Sequence, residues 1–250
     1  MADMRPARTL KWAEPMLSVA ILAGGLATRL RPLTETIPKS LVEINGEPFV
    51  WHQLRLLRGN GVSRVVLCVS YLGEQVRESV GDGREFGLDV DYSFDGSTLL
   101  GTAGALKRAL PLLGESFFVL YGDSYLPIDL GAVEAAFHSS GKAGLMTVYA
   151  NHGQWDSSNV ELAGGQIVAY DKRLRAERMR HIDYGLGVFR SDAFDLVPEG
   201  KPWDLAVLYQ DLLHAGELAA FEAPHRFYEI GSFNGIAELS SYLRQGCQSA

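Results

Sequence analysis

The chain of 250 residues has few cysteines and no long apolar segment. Its two cysteines, Cys68 and Cys247, are far apart in the sequence, so nothing indicates a disulfide framework, and Cys68 is expected to be an inert core residue. No run approaches the roughly eighteen apolar residues of a membrane span, and residues 1–16 lack the apolar core of a signal peptide. These absences predict a cytoplasmic protein without membrane association. Residues 1–16 are expected to form a loose N-terminal extension.

An excess of positive charge is also missing. Lysine and arginine number 23 against 30 aspartates and glutamates, which gives a net charge of −7. This balance argues against an extended surface for a nucleic acid polymer. The six histidines form no spaced ligand set, so neither a zinc site nor a Ser-His-Asp triad is supported. A small nucleotide is not excluded, because cations are concentrated on one loop near the start.

Strand-like and helical patterns alternate over the first 150 residues. Such alternation predicts βαβ units, and hence an α/β, Rossmann-like, mixed and mostly parallel sheet with flanking helices. The predicted strands are 17–22, 64–70, 88–93, 117–121 and 144–150, and the predicted helices are 49–60, 73–80, 102–110 and 130–140.

The pattern changes after residue 150. The segments 159–162 and 166–170 predict a hairpin, 182–189 a further strand, and 192–197, 204–216 and 234–244 three helices. There is no internal repeat, and in particular no hexapeptide repeat. The length predicts a single domain over residues 17–245, made of a first part, 17–150, and a second part, 151–245.

The most informative feature is a glycine loop that follows the first predicted strand. Residues 22–34 read LAGGLATRLRPLT, and residues 37–41 read IPKSL. Gly24 and Gly25 lack Cβ atoms, so we expect a tight turn whose backbone N–H groups approach a ligand and suit phosphate oxygens. Arg29 and Lys39 add positive charge. The loop therefore predicts a phosphate-binding site at the edge of the sheet.

Two better-known glycine loops do not fit this spacing. The dinucleotide fingerprint requires G-x-G-x-x-G, and the Walker loop requires G-x-x-x-x-G-K-[ST]. The absence of the first disfavours a nicotinamide-dependent oxidoreductase, which we keep only as a competing hypothesis.

The loop instead resembles the signature of the sugar-1-phosphate nucleotidyltransferases, G-G-x-x-T-R-L-x-P-L-T followed by P-K. The resemblance implies the nucleotide-diphospho-sugar transferase fold. It also implies a reaction in which a sugar 1-phosphate and a nucleoside triphosphate give an NDP-sugar and pyrophosphate. The matching residues are Gly24, Gly25, Thr28, Arg29, Leu30, Pro32, Leu33, Thr34, Pro38 and Lys39.

The resemblance also implies which residues bind the nucleotide, mainly in the part 17–150. A second matching motif, LGTAG at residues 100–104, would line the base, and Thr102 is expected to be the N-cap of the following helix. The expected nucleotide-binding residues are Leu22, Ala23, Gly24, Gly25, Thr28, Arg29, Gly101, Thr102 and Gly122.

Two carboxylates are the expected magnesium ligands. Asp123 follows an apolar strand, where an unpaired buried charge would be costly, and it matches the metal aspartate of the family. The second family ligand lies in D-x-G-[ST], but here the matching stretch begins with Glu229. Glutamate keeps the charge and reaches one methylene further, so we retain Glu229 as a ligand of Mg²⁺.

The part 151–245 is expected to bind the sugar. The resemblance assigns the sugar phosphate to Lys172, at the end of the predicted strand 166–170. Asp183 and Gly185 lie in the strand that usually reads N-A-G, so hydroxyl recognition is expected to be unusual. Tyr121, which precedes the metal aspartate, is expected to touch the sugar. Arg29, Lys39, Asp123 and Lys172 are then the expected catalytic residues.

Three functional hypotheses follow. The first is a Mg²⁺-dependent transferase that resembles the short guanylyltransferases for heptose or mannose 1-phosphate, with relatives that use UTP or dTTP on another sugar 1-phosphate as its variant. The second is a non-catalytic relative that binds an NDP-sugar and regulates a partner, a reading that the change to Glu229 keeps open. The oxidoreductase is the third. The base, the sugar and the oligomeric state, including a homodimer, stay open.

Overall fold

The computed structural model describes residues 15–25, 28–174 and 176–247. Most of the expected extension 1–16 therefore lies outside the described residues, as does the side chain of Cys247. Within the described part, no helix has both the length and the apolar character needed to cross a bilayer.

The strands and helices alternate in the first half, as predicted. The strands are β1 (Ser18–Leu22), β2 (Glu43–Ile44), β3 (Glu47–Pro48), β4 (Arg64–Val69), β5 (Asp89–Phe94), β6 (Ser116–Tyr121), β7 (Ser124–Tyr125), β8 (Gly144–Ala150), β9 (Val160–Ala163), β10 (Gln166–Tyr170), β11 (His181–Arg190), β12 (Leu218–Glu222) and β13 (Tyr228–Glu229). The helices are α1 (Phe49–Gly59), α2 (Gly73–Val80), α3 (Gly101–Ala109), α4 (Leu130–Ser140), α5 (Leu205–His214) and α6 (Phe233–Cys247).

A nine-stranded sheet forms the centre of the fold. Its main path runs β10-β9-β11-β6-β1-β4-β5, and β8 joins β11 to β12. The pairings mean that β10 and β11 run against the direction shared by the other seven strands. The predicted mixed, mostly parallel sheet with flanking helices is confirmed.

Helices cover both faces of this sheet because its inner strands are apolar on both sides. In β1, Val19 and Ile21 belong to a buried cluster with residues of α1, α2 and α4. Ala20 belongs to a second cluster with residues of α3 and α5. Two apolar layers with the sheet between them therefore form most of the core, and a smaller third cluster contains Ile44, Phe49, Ile230 and Leu239.

The bounds of two helices were predicted correctly. Helices α2 and α4 have the predicted bounds, and Asp129 accepts the Ala132 N–H at 3.2 Å as the N-cap of α4. Gly141 closes α4 with a φ of 64°.

Other segments differ from the prediction. The expected helix at 192–197 is instead a 3₁₀ helix, Ser191–Leu196. The short strands β2, β3 and β7 were not predicted, because two residues carry no periodic pattern. Strand β12, with the sequence LAAFE, was also missed, because alanine has a low strand propensity and the segment is a strand only through its pairing with β8.

The carboxyl ends of β1, β4 and β6 meet at one edge. In the sheet register, Leu22 of β1 lies beside Cys68 of β4 and Tyr121 of β6. The chain leaves the sheet there in the glycine loop and in the turn of Gly122 and Asp123. Open α/β sheets bind ligands at this edge.

Candidate active site

Two neighbouring cavities lie at this edge. The first cavity has a volume of about 520 Å³ and is lined by Leu22, Ala23, Gly24, Gly25, Arg29, Leu30, Lys39, Ser40, Cys68, Asp95, Leu99, Gly101, Thr102, Ala105, Tyr121, Gly122, Asp123 and Gly231. The second cavity has a volume of about 360 Å³ and is lined by Arg29, Tyr121, Asp123, Ser124, Asp156, Ser157, Asn159, Lys172, Ile182, Asp183, Tyr184, Gly185, Phe227 and Glu229.

Three residues, Arg29, Tyr121 and Asp123, line both cavities. Every expected site residue lines at least one of them, apart from Thr28, whose side chain lies outside the described residues. The structure therefore brings together side chains that are up to two hundred positions apart, such as Arg29 and Glu229.

The glycine loop leaves the sheet at a fixed point. The Ala23 N–H donates to Cys68 O at 2.9 Å, which ties the start of the loop to β4. Neither Gly24 nor Gly25 has a positive φ, so the expected turn does not use a conformation that only glycine favours. A Cβ on Gly25 would meet no described atom within 4 Å, so the space beside this backbone is open.

Packing within the protein, and not only ligand binding, requires a glycine at position 122. A Cβ at this position would lie 2.4 Å from Leu22 O and 2.9 Å from Ala23 Cα. Only glycine permits this close approach of two backbones. The residue lines the first cavity, but its immediate contact is the end of β1, to which its N–H donates at 3.1 Å.

Gln53 of α1 donates hydrogen bonds to the backbone on both sides of the Gly122–Asp123 turn. The sequence analysis did not predict this residue. Its Nε2 donates to Tyr121 O at 3.2 Å and to Ser124 O at 2.8 Å. The side chain is 1% exposed. The two carbonyls flank Asp123, so this amide fixes the backbone that carries the carboxylate.

Asp123 forms an ion pair with Lys39. Lys39 Nζ lies 2.6 Å from Asp123 Oδ2, and both side chains are partly buried. The Asp123 carboxylate is therefore paired with the Lys39 ammonium group in the protein without ligand. The expected phosphate ligand Lys39 and the expected metal ligand Asp123 are in direct contact.

Glu229 lies beside Asp123, as the family pattern implied. Strand β13 pairs with β7, and the Ile230 N–H donates to Asp123 O at 2.9 Å. Burial, and then the negative charge of Asp123, raise the pKa of the Glu229 carboxyl, while Lys39 and Arg29 oppose this rise. A Cβ on Gly231 would lie 3.2 Å from Glu229 Oε1 and 3.5 Å from Arg29 Nη2. The carboxylates of Asp123 and Glu229 and the cations Lys39 and Arg29 therefore form one cluster.

The LGTAG segment differs from its expected role in two ways. Leu100, not Thr102, is the N-cap of α3, and it makes no side-chain capping hydrogen bond. Thr102 Oγ1 instead accepts the Leu205 N–H at 2.7 Å and so satisfies the start of α5. The expectation for Thr102 as an N-cap of its own helix was wrong, because α3 begins at Gly101 and Thr102 therefore lies inside the helix.

Gly101, an expected nucleotide-binding residue, makes a close backbone contact within the protein itself. Gly101 has a φ of 69°, and a Cβ there would lie 2.7 Å from Trp203 O. The Ala103 N–H donates to the same carbonyl at 2.9 Å. Gly101 still lines the first cavity, but its missing Cβ is explained by the contact with Trp203.

A polar network forms one wall of the second cavity. Asp183 Oδ2 accepts the hydroxyls of Tyr121 at 3.2 Å and Tyr170 at 3.3 Å. Lys172 Nζ lies 3.4 Å from Tyr121 Oη and 5.3 Å from the centre of its ring. Burial, and then the charge of Asp183, raise the pKa of Tyr121 well above 10, so its hydroxyl stays protonated. Tyr121 therefore joins Lys172 to Asp183.

The sequence analysis also missed several polar lining residues. Asp95 follows β5 directly, and it had the same signal as Asp123, an acidic residue at the end of a strand. Burial raises the pKa of Asp95, and its carboxylate accepts the Leu100 N–H at 3.2 Å. Asp156, Ser157 and Asn159 come from a loop without periodicity, so no local signal could have found them.

Cys68 is buried, as expected. It is 2% exposed, and burial raises the pKa of its thiol to about 12. An inert core thiol is the result, even though the residue borders the first cavity.

The fold and the paired cavities define an α/β protein whose site carries both carboxylates and cations. The sequence profile described as nucleotidyl transferase matches residues 18–158, which is more than half of the chain. The chain belongs to the nucleotidyl transferase family. The resemblance to sugar-1-phosphate nucleotidyltransferases, and with it the prediction of an enzyme, is confirmed.

Relatives differ in the nucleotide for which they are named. UTP–glucose-1-phosphate uridylyltransferase of Synechocystis is 30% identical over 217 residues, which are 80% of this chain but only 56% of that protein. N-acetylmuramate alpha-1-phosphate uridylyltransferase of Neisseria meningitidis is 28% identical over 239 residues, 90% of this chain and 97% of that protein. Others are named as cytidylyl- or guanylyltransferases.

The fold has a solved counterpart. The crystal structure of HddC from Yersinia pseudotuberculosis, complexed with GMP-PN, superposes with a TM-score of 0.77 at 24% identity. It covers 91% of this chain and 100% of its own. This likeness shows the fold.

Proposed function

We propose that the protein transfers a nucleotidyl group from a nucleoside triphosphate to a sugar 1-phosphate. The first cavity takes the triphosphate and the second cavity takes the sugar 1-phosphate. The observation that carries this proposal is the shared wall of Arg29, Tyr121 and Asp123, where the two substrates would meet.

The reaction needs no protein nucleophile. An oxygen of the sugar 1-phosphate donates its electron pair to the α-phosphorus, a new O–P bond forms, and the bond from the α-phosphorus to pyrophosphate breaks. Both reactants are anions, so positioning and charge neutralisation are the main tasks of the protein. Lys172 holds the attacking phosphate. Arg29 and Lys39 stabilise the charge on the departing pyrophosphate.

Asp123 and Glu229 would hold Mg²⁺. The donor set fits, because burial and then the negative charge of Asp123 raise the pKa of Glu229, and a cation bound between the two carboxylates would oppose this repulsion. Oxygen ligands from carboxylates and phosphates are those that Mg²⁺ prefers. When bound, the ion would supply positive charge against the α-phosphate.

We infer GTP with heptose or mannose 1-phosphate as the first substrate pair to test. UTP or dTTP with another sugar 1-phosphate is the alternative, and the relatives named above also make CTP worth including. The LGTAG segment does not decide among these bases. We keep the subdivision into a nucleotide part, 17–150, and a sugar part, 151–245, as part of this proposal, with the exception that Gly231 lines the first cavity and Ser124 the second.

The test is an assay of pyrophosphate release. The protein is incubated with Mg²⁺, each triphosphate in turn and a panel of sugar 1-phosphates, and the NDP-sugar product is identified by mass spectrometry. We expect one pair to give pyrophosphate and NDP-sugar in equal amounts.

Two outcomes would reject the proposal. A protein that binds an NDP-sugar tightly but releases no pyrophosphate with any pair would be the non-catalytic regulatory relative. Reduction of a nicotinamide cofactor in the presence of a sugar would indicate the oxidoreductase.

A further inference from the structure

Asp183 makes contacts that the mechanism above does not use. Its Oδ2 accepts the hydroxyls of Tyr121 at 3.2 Å and Tyr170 at 3.3 Å. Its Oδ1 accepts the Gly185 N–H at 3.0 Å. A carboxylate offers about four lone-pair sites, so these three protein donors occupy most of its capacity for hydrogen bonds. Little of that capacity is left for the hydroxyls of a sugar.

These contacts fix the direction of the Tyr121 hydroxyl. An ionised carboxylate can only accept hydrogen bonds, so the single proton of this hydroxyl points to Asp183. The lone pairs of Tyr121 Oη are then left for a donor from another direction. Lys172 Nζ, which has only donors, lies 3.4 Å from this oxygen. Asp183 therefore makes Tyr121 an acceptor for Lys172.

Tyr121 in turn restricts the position of Lys172. The lysine side chain is exposed, and a long flexible side chain loses rotamer freedom when it is held in one place. Among the described residues, its ammonium group forms a hydrogen bond with Tyr121 and also lies 5.3 Å from the centre of the same ring. A lysine that is already held loses less freedom when it binds a phosphate, so the phosphate binds more tightly.

We propose that Asp183 is a positioning residue, which acts through the Tyr121 hydroxyl to hold the Lys172 ammonium group ready for the phosphate of the sugar 1-phosphate. This inference rests on the proposed function, since it needs a sugar 1-phosphate in the second cavity. It also gives a reason for the departure from the family pattern, which has asparagine at this position. An amide has only one acceptor oxygen, whereas donors approach Asp183 on both of its oxygens.

The first variant is Tyr121→Phe, which removes the hydroxyl and keeps the ring. The probe is the sugar 1-phosphate that gives NDP-sugar in the release assay. Its Kd, measured by calorimetric titration, is expected to rise about threefold to tenfold, the range for one hydrogen bond, while the Kd for the triphosphate changes less than about twofold. Once bound, the phosphate itself holds Lys172, so the KM for the sugar 1-phosphate should rise while kcat changes less than about twofold.

Tyr170→Phe is the matched control. The Tyr170 hydroxyl donates to the same oxygen of Asp183, but the residue is 4% exposed and lines neither cavity. Tyr170→Phe should therefore keep the Kd for both substrates within about twofold of the unmodified protein. An equal loss of affinity in Tyr121→Phe and Tyr170→Phe would mean that the carboxylate does not act through Tyr121, and the inference would be overturned.

A double-mutant cycle with Lys172→Ala tests the path of the effect. If Asp183 and the Tyr121 hydroxyl act through Lys172, then Asp183→Asn and Tyr121→Phe each lower the affinity only while the lysine is present. In the Lys172→Ala protein, either additional change should alter the Kd for the sugar 1-phosphate by less than about twofold. A distorted cavity wall, or a direct contact of the hydroxyl with the sugar, would lower the affinity in both backgrounds.

The outcomes separate this inference from the function on which it rests. Unchanged affinity in Tyr121→Phe, or a loss that adds in full to that of Lys172→Ala, overturns the inference while the transferase stands. Circular dichroism checks that each variant is folded, and Asp183→Asn carries the same cycle if Tyr121→Phe does not fold. If the unmodified protein binds no sugar 1-phosphate and makes no NDP-sugar, both the inference and the proposed function fail.

Discussion

The two cavities are built in different ways. The first cavity is lined mainly by the ends of the parallel strands β1, β4 and β6 and by the segments that follow β1, β5 and β6. The second is lined by antiparallel strands and by a loop, and it receives residues from β11, β13 and positions 156–159. Parallel strand ends deliver short motifs to one edge, whereas the second cavity depends on pairings between distant segments. The lining residues of the first cavity therefore belong mostly to short contiguous motifs, whereas those of the second cavity come from segments that are separate in the sequence.

The largest effect is expected at Asp123, which belongs to both cavities. Its carboxylate pairs with Lys39 and would hold the metal. Asp123→Asn removes this charge, and we expect turnover to fall at least about a thousandfold at any Mg²⁺ concentration, since a metal contributes several kcal/mol to the transition state. The steady-state rate of pyrophosphate release is the measurement.

A suitable control is Asp89→Asn, at the exposed start of β5, which should keep normal turnover. Retention of more than a tenth of the activity in Asp123→Asn, with an unchanged circular dichroism spectrum, would remove Asp123 from the catalytic set.

Arg29 also borders both cavities, but its expected role is on the pyrophosphate side. Arg29→Ala should lower turnover by about 10²–10³, the scale of losing one preorganised charge donor. Single-turnover kinetics with saturating substrates measure this step. Arg84→Ala, at a site 89% exposed and outside both cavities, is the control. Near-normal single-turnover rates in a folded Arg29→Ala protein would contradict the assignment.

Lys172 lines only the second cavity, so its substitution tests whether the two cavities bind different substrates. Lys172→Ala should weaken binding of the sugar 1-phosphate about tenfold to a hundredfold, the range for a hydrogen bond to a charged group. Triphosphate binding should change by less than about twofold. Calorimetric titrations with each ligand compare the two sites, and Arg173→Ala, the exposed next residue, is the control. Equal losses for both ligands would mean that the cavities do not divide the substrates in this way.

The smallest effect concerns the stability of the metal-free protein. Burial and Asp123 raise the pKa of Glu229, so its folded-state pKa lies above the unfolded value. Ionised Glu229 therefore destabilises the fold at pH values above 4.5, the ordinary glutamate pKa. In EDTA at pH 7, Glu229→Gln should raise the Tm by about 1–4 °C.

The gain in Glu229→Gln should shrink as the pH falls through the raised pKa of Glu229 and vanish below 4.5, where the glutamate side chain is neutral in both the folded and the unfolded state. Glu199→Gln, at an exposed position, should show no such dependence. A pH-independent Tm difference would falsify the electrostatic origin. The same variant should lose Mg²⁺-dependent turnover if Glu229 is a ligand, and an unchanged Mg²⁺ response would exclude it.

Most of the fold was predictable from periodicity. The bounds of α2, α4 and β8 agree with the predicted ones residue for residue, because each has a clear apolar pattern and defined ends. The segments that were missed are those whose structure depends on a partner. Strand β12 exists through its pairing with β8, and β7 through its pairing with β13.

The candidate site follows the same division. The glycine loop and the residues around Asp123 could be predicted, because each is a contiguous motif at a strand end. Asp156, Asn159 and Gln53 could not, because their place in the site depends on packing and not on any pattern in their own segments. Thr102 is a different case. It was predicted to cap its own helix, but its hydroxyl accepts a hydrogen bond from the first residue of α5 instead.

The sequence by itself determined the family, the α/β alternation and the residues that carry charge to the edge of the sheet. These are local properties of the chain, set by side-chain periodicity, glycine positions and motif spacing. Only the tertiary structure decided which charges meet. Lys39 reaches Asp123 across 84 positions, and Glu229 joins them through the pairing of β13 with β7. Contacts of this kind depend on the packing of whole layers, in which each side chain competes with every other for the same space and partners.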